Sequence, residues 1–211
     1  MTTAPAGKGT KKQISADVRR ERLVAAALRV MKRDGIAAAT TRAICAEADM
    51  PHGAFHYCFR SKQELYAALL STGIHVTLDG AWPAVVPAAD PAESIRALLR
   101  AFWADVEKDP AAQLVLIELV TLALRDPELS ELPAWDHRGY VDEVVAYLER
   151  FTDEAELELT VEVRTLAEMV VPVLNGVVSS WLAHRDGAVA LRSLDNFAAL
   201  FATLTRPRGQ R

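Results

Sequence analysis

Apolar residues recur at helical spacing along almost the whole chain. Leu23, Ala27, Val30 and Met31 fall at i, i+4, i+7 and i+8, one face of a helix over residues 16–34. Gly35 stands where a left-handed residue would cap it. Ile44, Cys45 and Ala48 mark the inner face of a short second helix at 41–48, with Thr40 as its N-cap. Phe55 and Phe59 anchor a third at 52–58. Ser61-x-x-Glu64 is a capping box that opens a fourth helix at Lys62, whose inner face continues through Leu65, Leu69, Thr72 and Val76. Residues 78–91 hold three prolines and little periodicity, and read as a linker. Beyond them the pattern predicts helices at 92–108, 111–125, 134–151, 157–184 and 190–205. Asp90-Pro91, Asp109-Pro110 and Asp126-Pro127 punctuate them. No repeat and no strand-like alternation stands out, so the predicted fold class is all-α.

The 211 residues are enough for one or two domains with a real core. The first fifteen lack an apolar signal region, and apolar runs such as 169–174 fall far short of the roughly 20 residues of a membrane span. Two cysteines with no export signal point to a reducing, cytoplasmic location without a disulfide framework. The net charge of −4 conceals an asymmetry. Through Lys62 there are 12 Lys and Arg against 5 Asp and Glu, a net of +7; the remainder carries 12 against 23, a net of −11. A basic end attracts phosphate, while an acidic body repels non-specific DNA elsewhere. Residues 1–15 read as a disordered basic arm carrying Lys8, Lys11 and Lys12.

The stretch 40–62, TTRAICAEADMPHGAFHYCFRSK, reads as two short helices joined by a tight turn at Asp49-Met50-Pro51, a helix-turn-helix whose second helix can enter the DNA major groove. Together with residues 20–35, RERLVAAALRVMKRDG, it resembles the DNA-binding domain of the TetR family of bacterial regulators. Asp49 stands where the family has Gly, and Asp tolerates a left-handed backbone better than most residues. Pro51 stands where a Ser or Thr cap is common, His56 replaces a Tyr, and Cys58 a His. The second helix should present His52, Gly53, Ala54, His56 and Tyr57 to DNA. Thr41 and Arg42 should hold the opposite backbone. The resemblance implies a phosphate or base-edge contact for Tyr57 and a phosphate contact for Lys62. Gly53 would let the backbones approach closely, and the Ala54 methyl suits thymine.

The resemblance also implies an N-terminal three-helix DNA-binding domain, 16–62, and a C-terminal helical regulatory and dimerisation bundle, 63–206. The expected function is that of a homodimeric repressor, released from a palindromic double-stranded operator by a small-molecule effector. The alternative is a DNA-binding regulator that is ligand-independent or senses thiol oxidation through Cys45 and Cys58. Candidate pocket residues are Trp103, Glu118, Tyr140, Tyr147, Glu168, Pro172 and Asn175, with Trp135 and His137 as further possibilities. Pro172, inside an apolar helix, frees the carbonyl of Glu168 and is expected to kink the helix beside the cavity. Leu194, Phe197, Phe201 and Leu204, with Val177 and Trp181 on the preceding helix, form an apolar stripe expected to make the dimer seam. His52 and His56 at i, i+4 lack a third ligand, so no metal is expected, and no cofactor. Ser180 and His184 lack a nucleophile elbow, and no P-loop or dinucleotide fingerprint occurs, so no enzyme activity and no membrane partner are expected.

Overall fold

The computed structural model describes residues 15–74, 78–86 and 89–209; the expected basic arm, except Ser15, and Val76 lie outside these. The chain divides after Lys62 into two compact units.

The N-terminal unit holds α1 (Ala16–Asp34), α2 (Thr41–Glu47) and α3 (Ala54–Cys58), with a 3-10 turn at Ile36–Ala38. Ser15 caps α1 by accepting from the Val18 N–H, and Gly35, at φ 85°, donates to the Met31 carbonyl at its other end. Thr40 caps α2 by accepting from the Ala43 N–H at 3.1 Å. These three residues set the helix bounds where unsatisfied backbone groups would otherwise be exposed. Leu23, Ala27, Ile44, Phe55 and Phe59 make the buried core.

The larger unit contains α4 (Lys62–Ile74), which begins at the division, then α5 (Pro91–Val106), α6 (Pro110–Ala123), α7 (Leu132–Glu154), α8 (Val163–His184) and α9 (Gly187–Ala202). The Asp-Pro pairs start structure rather than merely ending it. Asp90, Asp109 and Asp126 each accept a backbone N–H of the following turn, and the proline occupies its first turn, where no N–H is needed. α5 packs on α9, and α7 on α8. Arg100 grips Asp195 with two hydrogen bonds of 2.9 and 2.8 Å, fastening α5 to α9 from outside.

Three expectations need correction. The span read as linker contains a 3-10 turn, Asp79–Ala84, with Trp82 buried. The Ser94 hydroxyl donates to the Ala84 carbonyl at 3.1 Å, and the Arg150 guanidinium lies 3.9 Å over the Trp82 ring. Proline spacing hid a segment held by tertiary contacts. The helix expected from residue 157 begins at Val163, because Leu157–Leu159 is a strand, β1, paired antiparallel with β2 (Thr205–Pro207). Three-residue strands are too short for alternation to register. The third helix begins at Ala54, two residues later than expected, so His52 and Gly53 lie in the preceding turn.

α8 is 22 residues long, and its most apolar 18-residue stretch has a mean hydropathy of 1.5, sufficient by length and composition to cross a membrane. It carries Leu166, Val170, Val171 and Val178 into the bundle core. On its other side Met169, Pro172 and Gly176 are exposed among polar residues, Met169 to 50%.

Candidate functional site

α3 is only five residues long, too short to be stable alone, and its neighbours hold it. Arg20 on α1 donates to the Cys58 carbonyl at 2.7 Å, and its guanidinium lies 4.3 Å over the Phe59 ring. Arg29 and Arg33 both reach Glu47, at 2.8 and 3.0 Å, and fasten α2 to α1. The two guanidinium groups hold the Glu47 carboxyl below its usual range. Between α2 and α3, Asp49 takes the left-handed conformation, φ 53°, that its side chain tolerates. Met50 donates to the Cys45 carbonyl at 2.9 Å, and the Cys45 thiol to the His52 carbonyl at 3.5 Å.

With Phe55 and Phe59 turned inward, the outer face is set. Tyr57 is 90% exposed, His52, Gly53 and His56 are exposed, and Ala54 is half exposed. An aromatic ring left in water on a fixed platform is unused contact surface with a hydrogen-bonding tip. Gly53 has an ordinary backbone, φ −64°, and nothing lies within 4 Å of where a Cβ would stand. Neither conformation nor packing within the chain calls for glycine there. Thr41 is half exposed, and Arg42 and Lys62 are exposed. Among the described residues neither of these two cations meets a carboxylate, in contrast to Arg29 and Arg33. The His52 and His56 rings meet edge to face at 6.0 Å between centroids. Cys45 is buried, Cys58 is half buried, and both are free thiols.

Among the described residues the larger unit has two neighbouring cavities, besides a more open hollow of about 960 Å³ beside β1 and β2. One, of about 140 Å³, is almost wholly apolar, bounded by Leu98, Phe102, Tyr147, Val170 and Phe201, with Glu143 at its edge. The other, of about 390 Å³, has a mixed wall including Leu70, Phe102, Ile117, Asp136, Tyr140 and Asn175. Of these two neighbours, only the second falls within the roughly 300–1,000 Å³ typical of small-molecule sites. Phe102 and Tyr140 belong to both walls and separate them.

Asp136 is the unusual group. It is 6% exposed, and its Oδ1 is buried without a hydrogen-bond partner. Burial pushes its carboxyl up to about 6, against a smaller pull from His137. Burial, and then the negative charge of Asp136, push the Tyr140 phenol up as well. The two stand at i, i+4 on one face of α7.

Of the expected pocket residues, His137, Tyr140, Tyr147 and Asn175 line a cavity. The rest are corrections. Trp103 is sealed in the core against Trp181. Glu118 stands in solvent on α6. Glu168 is exposed and accepts from the His137 Nε2–H at 2.8 Å. Pro172 is exposed on the outer side of α8, which runs through it as one helix, so no break in the helix borders a cavity there. Sequence reasoning passed over Asp136, although an acid in register with Tyr140, Tyr147 and Phe151 on an apolar stripe was the available signal.

The expected dimer stripe also needs correction. Leu194 is 0% and Trp181 4% exposed within the single chain. Val177, Phe197 and Phe201 are partly buried against the same core, Phe201 borders the apolar cavity, and Leu204 is half buried. An apolar stripe on a terminal helix is as easily satisfied by its own bundle as by a partner. The uncovered face is the opposite one: Met169, Pro172 and Gly176 on α8, and Asn196, Ala199 and Leu200 on α9.

Comparison with known proteins agrees with this architecture. Residues 23–69 match the family described as bacterial regulatory proteins of the tetR family, and residues 91–204 match the C-terminal region of BetI-type transcriptional repressors. The chain is 29% identical over 184 residues to the HTH-type nicotine-responsive transcriptional repressor HdnoR of Paenarthrobacter nicotinovorans, covering 82% of this chain and 92% of that protein. Among solved structures, the multidrug-binding protein EbrR complexed with ethidium superposes with a TM-score of 0.60 at 29% identity, covering 84% and 96% of the two chains. A TetR-family regulator of Mesorhizobium loti MAFF303099 shares the fold with a TM-score of 0.71 at 15% identity, over 92% and 99%. These matches establish that the chain belongs to the TetR family of DNA-binding transcriptional regulators.

Proposed function

We propose that the protein is a homodimeric repressor that binds a palindromic operator and is released from it by a small molecule held in the larger unit. The observation that carries this reading is the face of α3. Phe55 and Phe59 anchor it, Arg20 fixes its end, and Tyr57 is 90% exposed. Thr41, Arg42 and Lys62 contact phosphates and set the register. His52, Gly53, Ala54, His56 and Tyr57 meet base edges and the adjoining backbone. Two copies on a two-fold axis place two such helices in successive major grooves, about 34 Å apart.

The partner copy covers the outer face of α8 and α9, centred on Met169, Pro172, Gly176 and Leu200. Leu200 is 59% and Met169 50% exposed in the single chain, and clustered apolar surface of this kind marks an interface. The effector occupies the 390 Å³ cavity. Leu70 and Thr72 border it from α4, the helix that Lys62 opens, so a ligand there acts on the helix leading to the DNA-contacting lysine. The nicotine response in HdnoR's name, and the imidazole and ethidium described as bound to EbrR, support release by a small molecule. Selection of bound duplexes from fragmented genomic DNA by the full-length chain tests the reading. The expected result is one enriched palindrome whose occupancy falls with the Tyr57→Ala variant. Recovery of no enriched sequence refutes it.

A further inference from the structure

We infer that the effector is an organic cation, a protonated or quaternary amine with an apolar body, and that Asp136 is its counter-ion in the larger cavity. The inference rests on the repressor reading above for the cavity's role in release.

Three observations converge on this chemistry. First, Asp136 lines the cavity, is 94% buried, and leaves Oδ1 without a hydrogen bond. A buried carboxylate oxygen with no donor is costly, and an arriving cation removes the cost. Second, the carboxylates on the cavity wall outweigh its cations. Asp105, on α5, is paired with Lys108 at 3.0 Å, and His137, on α7, with Glu168, on α8, at 2.8 Å. No Lys or Arg lines it, and α6 contributes only uncharged groups such as Gln113 and Thr121. His137 exerts a weak pull on Asp136 but is hydrogen-bonded to Glu168, so among the described residues no cation is paired with Asp136 itself, and an anionic ligand would meet repulsion. Third, the rest of the wall suits an organic ion better than a metal. Phe102 and Tyr140 offer aromatic faces, which attract cations, and Leu70, Ile117 and Val178 offer apolar surface. A bare metal ion would demand six or so oxygen ligands that this wall does not gather. Burial keeps the Asp136 carboxyl high, at about 6, so it is mostly ionised at neutral pH and becomes neutral in mild acid.

The test compares phenyltrimethylammonium with tert-butylbenzene, in which carbon replaces the charged nitrogen at equal shape, by calorimetric titration of the full-length protein. The expected result is that the cation binds at least about tenfold more tightly than the neutral isostere, a charged hydrogen-bonding-free pairing in a dry site being worth that much. Asp136→Asn, close to isosteric and without a charge to bury, removes the difference. In the wild type, cation affinity falls about tenfold from pH 7.5 to pH 5, because only about one carboxyl in eleven remains ionised one unit below its midpoint. The quaternary nitrogen carries no proton, so this loss belongs to the protein. His137 stands beside Asp136 on the same wall, and His137→Gln separates any contribution of its own from the loss at Asp136. Equal binding of the two compounds, a preference that survives in Asp136→Asn, or no saturable binding of the cation in the millimolar range overturns the inference. Operator release is read separately on the selected palindrome. If the cation binds through Asp136 but leaves the operator complex intact, the role of the cavity in release fails while the site stands. If tert-butylbenzene releases the operator and the cation does not, the release reading stands and the cation assignment fails.

Discussion

The Trp103 indole stands edge-on to that of Trp181, with ring centroids 5.0 Å apart and planes at 80°. This contact joins α5 to α8 in the centre of the bundle, with Leu99, Val106 and Leu194 around it. It turns two residues that sequence reasoning gave to a pocket and a dimer seam into the core of a single chain. Edge-to-face pairs add to the large area that each ring buries. Trp181→Ala is therefore expected to destabilise the protein by about 3–5 kcal/mol, the usual cost of such a truncation. Urea denaturation at fixed protein concentration reads it. A loss below about 1 kcal/mol would mean that the rings do not pack as described.

The dimer face predicts a different phenotype. Leu200→Glu and Gly176→Arg place charge on a surface that is open in the single chain; nothing lies within 4 Å of a Cβ at Gly176. Both variants should keep the helical circular dichroism of the wild type and sediment as monomers at micromolar concentration. Operator affinity should fall by orders of magnitude, since each half-site must then be bound independently. Dimers that persist in both variants would place the seam elsewhere.

On DNA, Gly53 separates fold from function. Its backbone is ordinary and its surroundings open, so Gly53→Ala should leave stability unchanged or raise it by up to about 1 kcal/mol. If DNA approaches the backbone here, the added methyl weakens operator binding at least tenfold, a cost of about 1.4 kcal/mol. Wild-type affinity in that variant would remove Gly53 from the interface.

Lys62→Ala should weaken binding to every sequence alike. For each copy, the slope of log affinity against log salt should fall by about 0.9, one phosphate's counterion. Tyr57→Ala should cost affinity on the selected palindrome more than on random duplex. A salt slope that Lys62→Ala leaves unchanged would free that lysine from phosphate contact.

What was legible in the sequence was whatever local chemistry decides. Gly35 and Thr40 bound their helices as capping rules require, and α1 spans the residues its periodicity marks. Asp49 carries the left-handed turn because its side chain makes that conformation cheap. The losses came where one pattern has two physical solutions. The stripe of Leu194, Phe197 and Phe201 must be buried, but periodicity does not say by what, and α5 supplies the cover. Trp82 was lost among prolines because Ser94 and Arg150, which hold its turn, are distant in sequence. Pro172 was expected at a cavity because a freed carbonyl needs a partner, yet on the outer face of α8 solvent or a partner subunit can supply one.

Asp136 links the site to stability. The folded protein raises its carboxyl from 3.8 to about 6, chiefly by burial. The native state thus holds this proton more tightly than the unfolded chain does. The group's contribution is fully present below pH 3.8 and is lost as pH rises through about 6. At about 1.4 kcal/mol per pH unit, the difference between the two values amounts to a cost of up to about 3 kcal/mol at pH 7.5. Asp136→Asn has no such proton, so its stability lacks this dependence. Subtracting wild-type from variant stability cancels the other titrating groups. The remaining difference should favour the variant by about 2 kcal/mol more at pH 7.5 than at pH 4, with most of the change between pH 4 and 6. Any pH-independent offset reflects how well the amide is hydrogen-bonded in the cavity and does not alter that slope. Urea midpoints for both proteins across pH 4 to 7.5 measure it. A difference that is flat with pH would mean that Asp136 is solvated in the folded state, and one that widens toward acid would mean that it is already paired with a cation of the protein itself.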